Sequence, residues 1–246
     1  MIIIASDFDG TLNHHGISED DKKAIKKFRE AGNKFGIVTG RDLEMATWVI
    51  YDLEKVGLEV DFVICCTGGV ILSFDGEIIS AKKQKMGEYI NEILNYARTL
   101  SLGVFRVSNE MTTCYADRKN RIKQDFSAIS EMTQANAWFE KEEDAEKFLQ
   151  YVVKNHKDDI SIFRNGGSID MPPCGISKVS GIYDYVSSYK GAKVYTVGDN
   201  LNDIPMIKEF DGYAVSNAKD EVKQIANHHC DRIADMIEEI MKGNIK

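Results

Sequence analysis

Two aspartates stand one residue apart, directly after the first apolar run of the chain. Residues 2–5 are Ile-Ile-Ile-Ala, and Asp7-Phe8-Asp9-Gly10-Thr11 follow them. Because side chains alternate along a strand, Asp7 and Asp9 are expected to point the same way as the chain leaves the sheet, where both could face one ligand. In open α/β sheets the ligand crevice lies beyond the carboxyl ends of the strands. Acidic residues beside a glycine can also form a simple turn, so these five residues alone leave both interpretations open.

Two later segments repeat this layout of an apolar run that ends in polar residues. Residues 35–38 lead into Thr39-Gly40-Arg41, and residues 194–197 lead into Gly198-Asp199-Asn200-Leu201-Asn202-Asp203. A helix is expected to begin after the second of these, near residue 204. A turn alone would not need two aspartates there, which favours a cation or a phosphate as the ligand.

A lysine near the start of a later helix adds a second kind of charge. In Gly175-Ile176-Ser177-Lys178, Ser177 is predicted to cap a helix that runs to about residue 188, with Lys178 in its first turn. The positive end of the helix dipole disfavours a cation at that position. An anion held between the lysine and the helix end would resolve the conflict.

In this order the segments resemble the four motifs of the haloacid dehalogenase superfamily, in particular its Cof-type phosphatases with a type IIB cap. Residues 7–12 resemble the nucleophile motif, residues 38–41 the second motif, residues 175–178 the lysine motif and residues 198–203 the metal motif. The match covers essentially the whole chain. One departure concerns Thr67-Gly68-Gly69, where family members often carry Asn-Gly-Ala; this segment borders the substrate pocket in relatives.

The resemblance implies a role for each motif residue. Asp7 would be the nucleophile that forms an aspartyl-phosphate, and Asp9 would protonate the leaving oxygen and later activate water. The predicted catalytic residues are Asp7, Asp9 and Lys178, the predicted phosphate-binding residues are Thr39, Gly40, Lys178 and Asn202, and the predicted substrate contacts are Arg41, Thr67 and Gly68. The predicted metal ligands are Asp7, Asp9 through its carbonyl, Asp199 and Asp203, with Asn202 and Asp203 as candidates for the outer shell.

The cofactor expected at these residues is Mg²⁺. Four aspartates brought together would repel one another and raise some of their pKa values unless a cation were present. Magnesium is a hard ion that prefers oxygen ligands and commonly binds a few carboxylates together with a substrate phosphate.

Composition limits the classes of partner. The chain has 246 residues, of which 43% are hydrophobic, and a net charge of −8, which argues against a nucleic-acid partner. No apolar stretch approaches the length of a membrane span, and the apolar start is too short for a signal peptide. Five cysteines without a Cys-x-x-Cys pattern favour reduced thiols. The expected location is the cytoplasm, and the expected partner is a small phosphorylated metabolite.

The periodicity predicts an α/β fold with an insert. Helices over residues 18–31 and 42–56 alternate with strands, which predicts a doubly wound, Rossmann-like parallel sheet. From residue 82 to residue 173 the pattern changes to helices and paired strands, with strands predicted at 103–107, 112–116, 160–164 and 168–171. The predicted domains are therefore a core of residues 1–81 and 174–246 and an inserted α+β domain of residues 82–173, which the resemblance identifies as a type IIB cap.

The function that combines these features is a magnesium-dependent phosphatase acting on small phosphorylated metabolites, most plausibly sugar phosphates. A phosphomutase of the same superfamily and a non-catalytic phosphosugar-binding protein are the alternatives. Basic residues of the insert are candidates for substrate selection: Arg106, Arg118, Lys119, Arg121, Lys123 and Arg164. For His14 and His15, a place at the border of the cavity and a solvent-exposed place both stay open.

Overall fold

The computed structural model describes residues 1–117, 126 and 129–243. Its strands are β1 (Ile2–Ser6), β2 (Lys34–Val38), β3 (Phe62–Cys65), β4 (Val70–Leu72), β5 (Ile78–Ala81), β6 (Gln84–Lys85), β7 (Leu102–Ser108), β8 (Thr113–Ala116), β9 (Glu131–Met132), β10 (Gln134–Phe139), β11 (Phe163–Asn165), β12 (Ser168–Met171), β13 (Lys193–Gly198), β14 (Asp211–Val215) and β15 (His228–Cys230). Its α-helices are α1 (Glu19–Glu30), α2 (Leu43–Lys55), α3 (Tyr89–Ala97), α4 (Glu142–His156), α5 (Lys178–Val186), α6 (Ile204–Glu209), α7 (Asp220–Ile225) and α8 (Ile233–Met241).

The larger sheet has eight strands in the order β15-β14-β13-β1-β2-β3-β4-β5. The pairings from β15 to β3 are parallel, and β4 and β5 join the β3 edge antiparallel. Strand β1 lies near the middle, and its Ile3 and Ile4 are fully buried, as expected for a strand covered on both faces. The carboxyl ends of β1, β2 and β13 therefore lie side by side, which brings together the polar segments that follow them.

The smaller sheet has five antiparallel strands in the order β11-β12-β10-β7-β8. Helix α4 packs against β10 and β12, and α3 packs against α4. Hydrophobic side chains form two separate clusters, one drawn from residues 3–72 and 182–240 and the other from residues 90–171. The eight-stranded sheet and the five-stranded sheet thus each have a hydrophobic core of their own.

The predicted fold class is confirmed: the chain is α/β, with a largely parallel core sheet and a second α+β unit. The domain boundaries at residues 82 and 173 stay a prediction. Within the insert, the structure differs from the sequence-based elements at several strands. The two-residue strands β6 and β9, which pair with each other antiparallel, were not predicted. Strand β10 was not predicted, because its alternate alanines give a weak strand signal. The strand predicted over residues 160–164 begins only at Phe163, and Ile160 instead forms an isolated bridge with Pro173.

Candidate active site

The loop after β1 carries the first two site residues. The Asp7 amide donates to the Val197 carbonyl at 2.9 Å, which ties the loop to the end of β13. Gly10 has a φ of 86°, and a Cβ there would lie 2.6 Å from Oδ2 of Asp199, so only glycine fits. Asp7 is buried, whereas half of the Asp9 side chain is exposed. The two aspartates therefore leave the strand in different surroundings.

Lys178 lies buried at the start of α5. The Ser177 hydroxyl accepts from the Ser180 amide and caps the helix, as predicted from the sequence. The Lys178 Nζ donates to Oδ1 of Asp7 and to Oδ1 of Asp203, each at 2.6 Å. Burial lowers the pKa of Lys178, but the charges of Asp203 and Asp7 outweigh this and raise it overall. The anions expected beside this lysine are thus carboxylates of the chain itself.

Three aspartates form an acidic cluster around that lysine. Within the described residues, Asp7, Asp199 and Asp203 offer carboxylate oxygens that all lie within 4.8 Å of one another. The Thr11 hydroxyl donates to Oδ1 of Asp199 at 2.8 Å, and Oδ2 of Asp203 accepts from the amides of Asp199 and Asn200 at 3.1 and 3.0 Å. These bonds fix the carboxylates in place without neutralising them.

Electrostatic repulsion within the cluster is only partly offset. Burial, and then the charge of Asp203, raise the pKa of Asp7 well above its usual range, although Lys178 acts in the opposite direction. Burial also raises the pKa of Asp199, with a hydrogen bond from Thr11 opposing and the charge of Asp203 adding to it. A cation among these oxygens would relieve the remaining repulsion, and an all-oxygen donor set suits a hard divalent ion.

The loop after β2 supplies the second predicted motif. Thr39 is buried, and its Oγ1 accepts from the Arg41 amide at 3.2 Å. The Arg41 guanidinium donates to both oxygens of Asp9, from Nε at 2.9 Å and from Nη2 at 2.6 Å. The Asp9 carboxylate is therefore turned towards Arg41 and is not part of the acidic cluster; the predicted role of its carbonyl at the metal stays a prediction.

A cavity of about 380 Å³ opens above these residues, between the two sheets. Its lining from the larger sheet includes Asp7, Asp9, Thr39, Gly40, Arg41, Asp42, Met45, Asn200 and Asn202. Its lining from the insert includes Val104, Arg106, Asn136, Ala137, Trp138, Asn165, Ser168 and Asp170. This volume is in the range of small-molecule sites. The structure thus brings Asp7, Asp9, Thr39, Gly40, Arg41 and Asn202 to one cavity, with Lys178, Asp199 and Asp203 in contact with or close to Asp7.

Asn202 faces this cavity with an unused acceptor. Its Oδ1 is buried and has no hydrogen-bond partner within the described part of the chain. A buried amide oxygen without a partner is costly, which suits a position that meets a donor on a ligand.

Thr67 and Gly68 lie elsewhere than expected. Both are buried behind the cavity and do not line it. A Cβ on Gly68 would lie 1.9 Å from the Ser177 carbonyl oxygen, so this glycine is needed for close packing against the start of α5. Thr67 donates to Gln134 of the insert at 2.9 Å. In the structure this segment makes packing and bridging contacts, and its predicted substrate contacts stay a prediction.

The basic residues of the insert also differ from expectation. Arg106 lines the cavity, but its Nη2 contacts Asp42 at 2.8 Å and Glu44 at 3.3 Å. Arg164 does not line it and contacts Glu146 at 2.6 Å and Glu142 at 3.3 Å. The predicted residues Arg118, Lys119, Arg121 and Lys123 lie outside the described residues. His14 and His15 are exposed in the loop after β1, and neither lines the cavity.

Sequence reasoning missed the polar face that the insert turns towards the core. Gln134, Asn136 and Trp138 alternate along β10 with Ala135, Ala137 and Phe139, which belong to the hydrophobic cluster of the insert. Asp170 of β12 pairs in register with Asn136, whose Nδ2 donates to it at 2.5 Å. Burial raises the pKa of Asp170 to about 7. The alternation of polar and apolar residues in 134–139 was the available signal for this face.

Comparison with known proteins agrees with this geometry. The sequence model of the haloacid dehalogenase-like hydrolases matches residues 4–236. The chain therefore belongs to the family of haloacid dehalogenase-like hydrolases, which confirms the resemblance to Cof-type members drawn from the four motifs. No helix in the described ranges is both long and apolar enough to cross a membrane.

Similar proteins are found across nearly the whole length of the chain. It is 26% identical to 5-amino-6-(5-phospho-D-ribitylamino)uracil phosphatase YcsE of Bacillus subtilis, over 93% of this chain and 89% of that one. Among solved structures, a haloacid dehalogenase-like hydrolase from B. subtilis superposes with a TM-score of 0.80 at 18% identity, over 98% of this chain and 100% of that one. The HAD subclass IIB sugar phosphatase BT4131 superposes with a TM-score of 0.79 at 19% identity, over the whole of both chains. The predicted enzyme class, a hydrolase of the phosphatase type, is confirmed.

Proposed function

We propose that this chain is a magnesium-dependent phosphatase that hydrolyses phosphate monoesters of small polyhydroxylated metabolites, such as sugar phosphates, through an aspartyl-phosphate on Asp7. The observation that carries the proposal is the grouping of Asp7, Lys178 and the acidic cluster at one side of a cavity that the insert covers. The acidic cluster would supply the nucleophile and the oxygen ligands for a metal, and Lys178 supplies a fixed positive charge at 2.6 Å from Asp7.

The donor set fits Mg²⁺. Asp7, Asp199 and Asp203 would hold the ion through carboxylate oxygens, with the Asp9 carbonyl as the further ligand implied by the family. When bound, the ion neutralises negative charge on the phosphate and on the carboxylates around it. Lys178 alone cannot neutralise three aspartates, which supports a requirement for the metal.

In the first step an oxygen of the Asp7 carboxylate attacks phosphorus, and the bond from phosphorus to the ester oxygen breaks. Asp9 gives its proton to that oxygen, which leaves as an alcohol. In the second step Asp9 takes a proton from water, the water oxygen attacks phosphorus, and the bond to Asp7 breaks to release inorganic phosphate. Because Arg41 holds both oxygens of Asp9 in this structure, this pair must separate before Asp9 can act.

The remaining residues of the site would bind the phosphate. The Thr39 hydroxyl, the Gly40 amide and Lys178 would donate to its oxygens. The Asn202 amide oxygen, which has no partner within the described chain, would accept from a donor elsewhere on the substrate. Arg41, once released from Asp9, can approach the phosphate or the leaving group as a planar donor.

The lining of the cavity supports an uncharged leaving group. Asn136, Ser168 and Asn165 offer hydrogen bonds to hydroxyls, and Trp138 offers a ring that is 47% exposed. The arginines of the described lining, Arg41 and Arg106, are each paired with a carboxylate. With Arg106 held by Asp42 and Glu44, and with Arg41, once released from Asp9, taken up by the transferred phosphate, a second phosphate or carboxylate on the substrate would lack a cation partner among the described residues. YcsE and BT4131 are named for a phosphoribityl substrate and for sugar phosphates, which agrees with this class.

Release of inorganic phosphate from a panel of phosphorylated sugars, polyols, nucleotides and bisphosphates, with Mg²⁺ and with excess chelator, tests the proposal. We expect turnover of monophosphates with uncharged polyhydroxyl groups, weaker turnover of bisphosphates, and loss of activity on chelation. Undiminished activity in chelator would remove the metal from the mechanism. Isomerised phosphate without release would indicate a phosphomutase, and saturable binding without turnover would indicate a phosphosugar-binding protein.

A further inference from the structure

Gln134 is a buried polar side chain of the insert that joins two loops of the larger sheet. It opens strand β10 and has no exposed surface. Its Oε1 accepts from the Thr67 hydroxyl at 2.9 Å, and its Nε2 donates to the Gly40 carbonyl oxygen at 2.7 Å. One amide group thus bridges the loop after β2 and the loop after β3.

The orientation of this amide is determined by its partners. The carbonyl oxygen of Gly40 can only accept, so the group that faces it must be the NH₂ of Gln134. The same Nε2 also donates to Oδ1 of Asn136 at 3.1 Å. Both amide hydrogens are therefore used, and rotating the amide would set two acceptors against each other.

The bond to Gly40 continues towards the predicted phosphate site. The Gly40 carbonyl and the Arg41 amide belong to one planar peptide unit, so fixing one group fixes the other. The Arg41 amide donates to the Thr39 hydroxyl at 3.2 Å, and the Arg41 side chain holds Asp9. Gln134 is in this way connected, through one peptide plane, to a predicted phosphate ligand and to the arginine paired with the predicted acid.

The loop on the other side of Gln134 has an unusual backbone. Cys66 and Thr67 have φ angles of 52° and 53°, in the left-handed region that residues with side chains rarely adopt. Such conformations persist only where surrounding contacts hold them. The Thr67 hydroxyl bonds to Gln134, and the Thr67 amide donates to the Thr39 carbonyl at 3.3 Å. Both loops are therefore held in one arrangement by the side chain of Gln134 and by direct backbone bonds, from the Thr67 amide to the Thr39 carbonyl and from the Cys66 amide to the Arg41 carbonyl at 2.8 Å.

We propose that Gln134 is a positioning residue, through which the insert sets the Gly40–Arg41 peptide and thereby the Thr39 hydroxyl and Arg41 for binding a phosphate ester. Its kinetic consequence rests on the proposed phosphatase function. Its structural consequence, a fixed peptide at Gly40, does not, and can be measured separately.

Two substitutions separate the acceptor of the amide from its donor. Gln134→Met keeps the length of the side chain and removes all three bonds. Gln134→Glu keeps the acceptor for Thr67 but sets a carboxylate oxygen against the Gly40 carbonyl and the Asn136 side-chain oxygen. At neutral pH we expect kcat with a sugar phosphate to fall about tenfold to a hundredfold in both variants, with a smaller change in KM.

The pH profile then distinguishes positioning from packing. A protonated glutamic acid again carries a donor, so the activity of Gln134→Glu relative to the wild type should recover as pH falls, whereas the ratio for Gln134→Met should stay flat. Asp170 and Asp42 titrate in all three proteins, so a pH dependence common to both variants is assigned to them, and only the difference between the two ratios is assigned to the introduced glutamate and its coupling to Asp170 through Asn136. Equal ratios for the two variants at every pH would overturn the proposal.

Ser161→Ala is the matched control. This substitution removes one hydrogen bond between the insert and the core, which the Gly175 amide donates to the Ser161 hydroxyl at 2.9 Å. The bond does not involve Gly40. We expect its activity to stay within about twofold of the wild type. A fall as large as that of Gln134→Met would show that any loosened contact of the insert is enough, and would overturn the specific role of Gln134.

Hydrogen–deuterium exchange provides the measurement that does not depend on turnover. We expect faster exchange over residues 39–42 in Gln134→Met, with unchanged exchange in the rest of β1, β2 and β13. Unchanged exchange over residues 39–42, or uniformly faster exchange throughout, would overturn the proposal. If the wild type released no phosphate from any substrate, the proposed function would fail, while this exchange pattern would still decide the role of Gln134.

Discussion

The eight-stranded and the five-stranded sheet, here the larger and the smaller sheet, contribute to the cavity in different ways. In the larger sheet the site residues follow the carboxyl ends of parallel strands, as Asp7, Thr39 and Asp199 follow β1, β2 and β13. In the smaller sheet the lining residues stand in the middle of strands, as Asn136 and Asp170 do. Parallel topology alone brings strand ends together, whereas the lining role of a strand face depends on how the sheet is placed. The residues predicted to carry the chemistry thus depend on the topology of the parallel strands, whereas the residues proposed to select the substrate depend on the placement of a second sheet.

The two regions also differ in how their charges are used. Lys178 of the larger region contacts two buried carboxylates and stands beside the predicted nucleophile. The arginines of the insert that the structure describes in ion pairs, Arg106 and Arg164, are each held by two acidic residues. In the first region a charged side chain thus stands beside the predicted nucleophile. In the second, the cavity lining combines neutral polar and aromatic groups with Arg106, which is paired with Asp42 and Glu44, and Asp170, which accepts from Asn136.

The largest expected effect lies in the core region, at Asp7. Asp7→Asn should lower phosphate release by about 10³-fold or more, because an amide cannot act as the nucleophile. The fold should survive, since the amide oxygen can still accept from Lys178. Thermal unfolding and a phosphate-release assay on the same preparation check both statements. A folded variant with normal turnover would assign the nucleophile to another residue.

Lys178 tests whether one residue supports both stability and chemistry. Lys178→Met should cut turnover by about a hundredfold or more, because a fixed donor to the phosphate is lost. It should also lower the free energy of unfolding by about 3 kcal/mol, because Asp7 and Asp203 would remain buried without a cation. The sequence alone predicts little change or a slight gain in stability when this lysine is removed. That prediction uses only the helix dipole, whose positive end disfavours a cation in the first turn. The contacts with Asp7 and Asp203 reverse that expectation.

Urea denaturation measures this loss, and Lys193→Met provides the control. Lys193 is half-exposed and lies 3.5 Å from Asp211, so its replacement should change the free energy of unfolding by less than about 1 kcal/mol. Equal stability of Lys178→Met and the wild type would contradict the role of the buried ion pairs.

Trp138 tests the claim that neutral groups of the insert select the substrate. Its ring packs over Gly103, where a Cβ would lie 2.1 Å from the indole, and part of the ring faces the cavity. Trp138→Ala should raise KM for the preferred sugar phosphate about tenfold, because the apolar surface against the leaving group is lost. Hydrolysis of a small acyl phosphate should change little.

The matched substitution is Arg164→Gln, which changes a residue that does not line the cavity. Its ranking of substrates should equal that of the wild type, in contrast to the expectation from sequence that the basic residues of the insert choose the substrate. A changed ranking in Arg164→Gln together with an unchanged one in Trp138→Ala would reverse the comparison between neutral and charged groups.

At Asp170 the expected effect is on the free energy of unfolding, not on turnover, and it depends on pH. Burial raises the pKa of this carboxyl to about 7 in the folded protein, against an unfolded value near 4. The folded state therefore binds the proton more tightly, so this group reduces stability as pH rises from about 4 to about 7 and has a constant effect above that. A shift of about three pKa units corresponds to about 4 kcal/mol, so Asp170→Asn should be more stable than the wild type by up to about 4 kcal/mol at pH 8, with little difference at pH 4.

Denaturation at both pH values checks this prediction. Asn136 can still donate to the amide oxygen of the new side chain, so the hydrogen bond at this position is kept. A gain in stability that is equal at pH 4 and pH 8 would show that the effect does not come from the ionisation of Asp170.

The family, the α/β fold class and the residues of the four motifs follow from the sequence alone, because they depend on local patterns: apolar runs, strand-end aspartates and a serine-capped helix. The predicted cap at Ser177 has a local cause of the same kind and is present. In the structure Ser18 and Asp42 also cap their helices, although the sequence analysis named no cap there.

Which of these residues contact one another depends on the tertiary structure. Asp9 pairs with Arg41, Lys178 contacts Asp7, and Thr67 bonds to Gln134. In each case the two residues come from segments far apart in the chain, and the sequence of one segment does not specify its partner. The same holds for Gln134 of β10 and Asp170 of β12. The sequences of these strands carry no functional motif, and both residues reach the site only because one face of the smaller sheet packs against the ends of the parallel strands. A side chain's chemistry is local, but its desolvation and its charged neighbours are set by the packing of distant segments.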